Sequence, residues 1–227
     1  DYIYVAWRVK PCDLKEAING IRALGIRGVN VTAPHKREVM KHIDIISEEA
    51  KLLGSVNTVV NRDGVLYGYN TDADGLYMAM EKDGIIIKDK KVLIIGAGGV
   101  AKPIVMRALK DKPYSVTVMN RTESKAQMLA EEVYKQTGSR IITKPDSIEF
   151  DVVINTTSAG MEPQENKLPT DEIDSLRNLS FINEKTAAVD LIYNPEETRF
   201  LAEARKRGAK THNGLGMLVY QGIIAYE

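Results

Sequence analysis

"KVLIIGAGGVA", residues 91–101, is the stretch on which the fold turns. Val92 to Ile95 form an unbroken apolar run, the mark of a strand buried on both faces. Glycines interrupt the run, and apolar residues then resume at helical spacing to about Leu109. The turn fits G-x-G-x-x-A through Gly96, Gly98 and Ala101. Gly96 permits the sharp bend, Gly98 lets a diphosphate lie against the backbone, and Ala101 lets helix and strand pack closely. Ala97, Gly99 and Val100 complete the loop, and the helix start offers its amides to an anion. Pro103 is tolerated because it falls in the first helical turn. By itself the motif is a tight turn; between a strand and a helix it predicts a dinucleotide site.

The pattern repeats downstream. Strands are predicted at 115–120, 140–144, 151–155 and 187–193, with helices at 123–138, 196–208 and 216–227. Residues 161–180 read as a long polar loop with a short helix. Alternating strands and helices predict a doubly wound parallel sheet of the Rossmann type. The second strand ends at Asn120, 24 positions after Gly96. A site for NAD places a carboxylate near that point. Here Asn120, Arg121 and Thr122 stand instead, with Lys125 one turn on. A guanidinium, an ammonium and a hydroxyl suit a 2′-phosphate, and hence NADP; a solvated helix start with surface charges is the other reading.

Upstream the elements differ. "YIYVAWRV" (2–9) reads as a strand, with Trp7 packed on its face. A helix follows, capped by Asp13 and stopped at Gly25. "GVNV" (28–31) is the next strand, so the three predict a parallel pair. Arg62-Asp63-Gly64 marks a hairpin, and Asp72 opens a helix to about Met80. The charged bridge "KDGIIIKDK" (82–90) marks the boundary: 1–83 form an α/β substrate domain, completed by the last helix at about 215–227, and 84–214 a nucleotide domain.

The chain has 227 residues, 31 basic and 31 acidic, so it carries no charge excess toward nucleic acid or a membrane surface. No apolar run reaches the roughly 20 residues of a membrane helix. A single cysteine, Cys12, excludes an intrachain disulfide and agrees with a reducing cytoplasm. The three histidines lack ligand spacing, so no metal site is expected. The opening at Asp1, inside a predicted strand, leads us to expect that an earlier segment belongs to the protein.

Polar groups gather at element ends in the first half: Thr32, Lys36, Asn57, Asn70, Thr71 and Asp72. Strand ends are where an open α/β sheet builds its crevice. Singly, Lys36 is also a surface lysine, Asp72 a helix cap and Asn57 a turn residue. Together they suit a small polyhydroxylated molecule.

Together they also resemble the shikimate dehydrogenase family. "NVTAPHK" (30–36), "SVNT" (55–58), "NTD" (70–72), "GAGG" (96–99), "NRT" (120–122), "INTTSAGM" (154–161), "DLIYNP" (190–195) and "NGLGMLVYQG" (213–222) follow in that family's order. The resemblance implies Lys36 and Asp72 as the catalytic pair, with Thr32, Asn57 and Gln221 on the substrate. It implies Asn155 and Thr156 by the nicotinamide ribose, Gly214 and Met217 near the nicotinamide, Leu191 on the cofactor, and Tyr193 between cofactor and substrate. It implies reversible reduction of 3-dehydroshikimate to shikimate with NADPH, on the route to chorismate and aromatic amino acids. A carboxylate beside Lys36 favours its charged form, so oxidation is expected to speed up toward alkaline pH. One family feature is missing: a Ser-x-Ser segment ahead of the first helix. The rivals are a quinate/shikimate enzyme of broader range, a methylene-tetrahydrofolate dehydrogenase and a non-catalytic NADP-binding paralogue. A monomer or homodimer is expected.

Overall fold

The computed structural model describes residues 3–227, which divide into two compact units at Thr71/Asp72. In the first, helix α1 (Leu14–Ala23) and the short α2 (Glu48–Leu53) accompany four strands. These are β1 (Gly28–Asn30), β2 (Ile45–Ile46), β3 (Thr58–Arg62) and β4 (Val65–Tyr69), in the order β1-β3-β4-β2. β3 pairs antiparallel with both β1 and β4, and only the β2–β4 contact is parallel. At the hairpin tip Asp63 and Gly64 both have positive φ, 53° and 88°, the twist a two-residue hairpin turn requires. Leu14, Ile18 and Ile21 of α1 pack on Val39, Val56, Val59 and Leu66. Asn61 secures the end of α1, donating to the carbonyls of Ile21 and Ile26 at 3.2 and 3.0 Å.

Two expectations fail here. The described part of 2–9 is not a strand, and Ile3, Tyr4 and Trp7 are 91%, 81% and 62% exposed. Its β-branched and aromatic residues give a strand propensity, but propensity without a hydrogen-bonded neighbour makes no strand. The predicted parallel β-α-β unit goes with it, since β1 takes β3 as its partner. The short β2 and α2 carry too few residues for a periodic signal.

The second unit begins with α3 (Asp72–Lys82), then continues β5 (Lys91–Ile95), α4 (Ala101–Lys110), β6 (Ser115–Met119) and α5 (Glu123–Thr137). It ends with β7 (Val152–Asn155), β8 (Ala187–Asp190), α6 (Arg199–Lys206), β9 (Lys210–His212) and α7 (Leu215–Tyr226). All five strands are parallel, in the order β6-β5-β7-β8-β9. Alternate residues of one strand serve opposite faces. Val92 and Ile94 meet Ile104 and Val105 of α4 with Leu76 and Met80 of α3. Leu93 and Ile95 meet Phe200 and Leu201 of α6 with Phe150, Leu176 and Phe181. The sheet is therefore covered on both sides, as the apolar run at 92–95 requires.

The predicted strand at 140–144 is reduced to one parallel bridge, Ile142 to Thr117, outside β6. That bridge occupies the place of a sixth strand, so the order matches the doubly wound arrangement 3-2-1-4-5-6. The strand at 187–193 stops at Asp190, and β9, too short to read from sequence, pairs beyond it. By contacts the first unit ends at Thr71, and α3, which packs along α7 and against α4, lies in the second. The reason is close packing: a Cβ on Gly75 would lie 2.5 Å from the backbone nitrogen of Gln221 in α7.

Candidate active site

Ligands of doubly wound sheets bind beyond the carboxyl ends of the strands, where the strand order reverses. In the second unit that point lies between β5 and β7. A cleft of about 340 Å³ opens there, lined by the glycine loop, by Asn120, Arg121, Thr122 and Lys125 after β6, and by Thr156 to Ala159 after β7. Gly96 has φ +112°, and a Cβ there would stand 2.6 Å from Thr156 Oγ1. Thr156 holds that position by donating through both its amide and its hydroxyl to Ile95 O, each at 2.9 Å. Gly98 and Gly99 behave oppositely: an added Cβ would meet nothing within 4 Å. Their backbone faces open space, as a loop that receives a diphosphate must. Ala101 is fully buried at the start of α4, whose first turn has no side-chain cap. The uncapped helix end and the cations after β6 make a donor set that fits a phosphorylated dinucleotide.

Asn120 shapes this cleft instead of merely lining it. Its Oδ1 accepts from the Ala97 amide at 3.2 Å and its Nδ2 donates to Thr122 O at 2.9 Å, so one side chain ties the glycine loop to the turn after β6. Arg121 reaches across to Glu172, with Nη1 3.2 Å from Oε2. Glu172, Gln164 and Lys167 come from the polar segment that the sequence marks only as a long loop. Its apolar anchors, Leu168 and Leu176, are too sparse to reveal where the segment returns.

Asn155 is fully buried and does not line the cleft. Its Nδ2 donates to Asp190 Oδ1 at 3.0 Å, and its Oδ1 accepts from the Thr157 amide and hydroxyl at 2.9 and 2.8 Å. Asp190 also accepts from Thr198 Oγ1 at 2.6 Å and from the Ile192 amide at 3.1 Å. Burial pushes its carboxyl up to about 6, against the opposing pull of these donors. Sequence reasoning missed Asp190, because its strand end gives no sign that the side chain turns inward.

Leu191, Tyr193, Gly214 and Met217 also lie outside the cleft lining. Gly214 sits against the Leu191 carbonyl, leaving no room for a side chain, and its amide donates to Ile192 O at 3.0 Å. This joins the loop after β8 to the start of α7. Tyr193 is half exposed, and Met217 packs on the sheet core.

In the first unit, register sets the polar cluster. Asn30 pairs with Thr58, and Thr58 with Tyr69, so Thr32, Asn57, Asn70 and Thr71 all gather at one end of the sheet. Lys36 joins them through its backbone carbonyl, which accepts from the Val56 amide at 2.8 Å. Asn57 is nearly buried; its Oδ1 accepts from the Thr71 amide and from Thr58 Oγ1, each at 2.9 Å. Asn70 Nδ2 donates to Ser55 Oγ at 2.8 Å. In the second unit, Asp72 is the first residue of α3, and Gln221 of α7 donates to Leu218 O at 3.1 Å. Among the described residues no cluster of three or more metal-ligating side chains occurs, and no helix is long and apolar enough to cross a membrane.

Family models match both parts: the shikimate dehydrogenase substrate binding domain over residues 1–59, and shikimate / quinate 5-dehydrogenase over 78–191. The chain is 44% identical to the shikimate dehydrogenase (NADP(+)) of Geobacillus sp. strain WCH70, over 99% of this chain and 80% of that one. A shikimate dehydrogenase solved with NADP+ superposes with a TM-score of 0.87 at 42% identity, covering 99% of this chain and 78% of that one. The shikimate 5-dehydrogenase of Listeria monocytogenes, solved with shikimate and NAD, gives 0.88 at 34% identity over 100% and 81%. Polar strand ends in one unit, a glycine-loop cleft in the other and matches along both lead to one conclusion: the chain belongs to the shikimate dehydrogenase family.

Proposed function

We propose that the chain reversibly reduces 3-dehydroshikimate to shikimate with NADPH, in the route to chorismate and aromatic amino acids. The observation that carries the cofactor is the pair Arg121 and Lys125 in the cleft of the glycine loop, where an NAD site holds a carboxylate. The substrate assignment follows from the family and from the polar strand ends of the first unit.

NADPH, when bound, supplies the hydride. Gly96 to Ala101 receive its diphosphate, and Arg121, Thr122 and Lys125 its 2′-phosphate. Thr32, Asn57 and Gln221 hold the hydroxyl and carboxylate groups of the substrate. Lys36 directs its ammonium group to the ketone oxygen. Lys36 would stabilise the negative charge that develops on that oxygen and would then donate a proton to it. Asp72 bonds a neighbouring hydroxyl of the substrate. In the oxidative direction neutral Lys36 takes the hydroxyl proton back. Residues 1–83 with the last helix serve the substrate and 84–214 the cofactor, in a cytoplasmic enzyme.

The test is an absorbance assay of NADP+ reduction with shikimate and with quinate as substrates. The expected result is turnover with shikimate and little with quinate. Turnover with quinate alone, or cofactor binding without turnover of either, rejects the assignment.

A further inference from the structure

Glu172 lies outside the glycine-loop and basic sets, yet it is the one carboxylate among the described residues lining the cofactor cleft. The segment that carries it is firmly placed. The Leu168 amide donates to Asp171 Oδ2 at 2.8 Å, the Ile173 amide to Thr170 O at 3.0 Å, and Thr170 and Leu176 are fully buried. So held, Glu172 faces the turn after β6. Arg121 Nη1 lies 3.2 Å from its Oε2 and 3.4 Å from its Oε1. Both contacts use the same guanidinium nitrogen, so the Nε and Nη2 donors remain for a further anion.

The charges then compete. A 2′-phosphate beside Arg121 gains from Arg121 and Lys125 but is repelled by Glu172, which also offsets part of the guanidinium charge. A free ribose 2′-hydroxyl suffers no such repulsion and is a donor that a carboxylate accepts. The ion pair is well exposed on both sides, and a pair of that kind holds weakly.

We propose that Glu172 is a cofactor-specificity residue: paired with Arg121, it lowers the cleft's preference for a 2′-phosphorylated adenosine over an unphosphorylated one. The inference rests on the reading of Arg121 as the 2′-phosphate contact.

The test is calorimetric titration of the full chain with adenosine 2′,5′-bisphosphate and with 5′-AMP, in wild type, E172Q and R121A. The expected result is that E172Q raises the affinity ratio for adenosine 2′,5′-bisphosphate over 5′-AMP by roughly three- to tenfold at low salt, the scale of one partly screened charge. The gain should shrink as salt is added. R121A should collapse the ratio. An R121A effect with an unchanged or lowered ratio in E172Q overturns the role of Glu172 alone. A ratio unmoved by R121A overturns the 2′-phosphate reading and the proposal with it.

Discussion

Asn155 Nδ2 donates to Asp190 Oδ1 at 3.0 Å, joining residues that face each other at the ends of parallel strands β7 and β8. Thr198, at the start of α6, closes the group from the third side. The loops after both strands therefore hang on one buried carboxylate. That carboxylate titrates at about 6 instead of its usual 3.8, chiefly because it is buried. The folded chain thus binds this proton more tightly than the unfolded chain, and the linked stability is fully present below the unfolded value and lost as pH rises through the folded one. Asp190→Asn keeps acceptors for Ile192 and Asn155 and can donate to Thr198. The stability of wild type relative to D190N should fall between pH 4 and pH 6, by about 3 kcal/mol at most. Urea unfolding of both proteins across that range checks it; a difference that stays flat or grows with pH is the contrary result. Asp190→Ala should cost about 1–3 kcal/mol or more at any pH, since buried donors lose their acceptor.

Lys36→Ala should lower kcat by about 10²-fold or more, the scale of a lost acid–base catalyst, with a smaller change in KM. Steady-state kinetics with shikimate and NADP+ separate the two. A raised KM with intact kcat would make Lys36 a binding group only.

Arg121→Ala should raise KM for NADPH far more than for NADH, because only NADPH carries the adenosine 2′-phosphate proposed as this guanidinium's partner. Equal changes for both cofactors would remove Arg121 from that role.

The glycine loop allows a paired test. Gly96→Ala places a Cβ 2.6 Å from Thr156 Oγ1 at a left-handed φ, so it should destabilise the protein by more than about 1 kcal/mol. Gly98→Ala meets no neighbour within 4 Å, so its Tm should match wild type while its Kd for NADPH rises. Thermal melts with and without NADPH decide; a G98A protein that binds NADPH normally would show that the diphosphate approaches elsewhere.

The sheet of the second unit was legible because fully buried parallel strands leave continuous apolar runs, as at 92–95 and 152–154. The glycine loop and its cations were legible for a similar local reason: each group lies within a few residues of a strand end. The stretch at 2–9 misled, because its residues favour a strand while no strand pairs with its described part. Pairing partners are set by distant chain, and that is not written in a local pattern. The same holds for Glu172, which reaches Arg121 from another part of the sequence, and for Asn155, whose place in a motif did not reveal that its amide turns inward to Asp190. The division at Thr71/Asp72 is likewise not written locally: α3 follows the hairpin in sequence, whereas its apolar face packs with Ile104 and Val105.

Gly75 has a consequence for how the proposed substrate groups behave. At that glycine α3 and α7 touch backbone to backbone, without side-chain padding between them. Two rods in such contact have no slack, so a shift of one is carried by the other. Asp72 and Gln221, drawn from distant parts of the chain, therefore travel as parts of a single stiff piece.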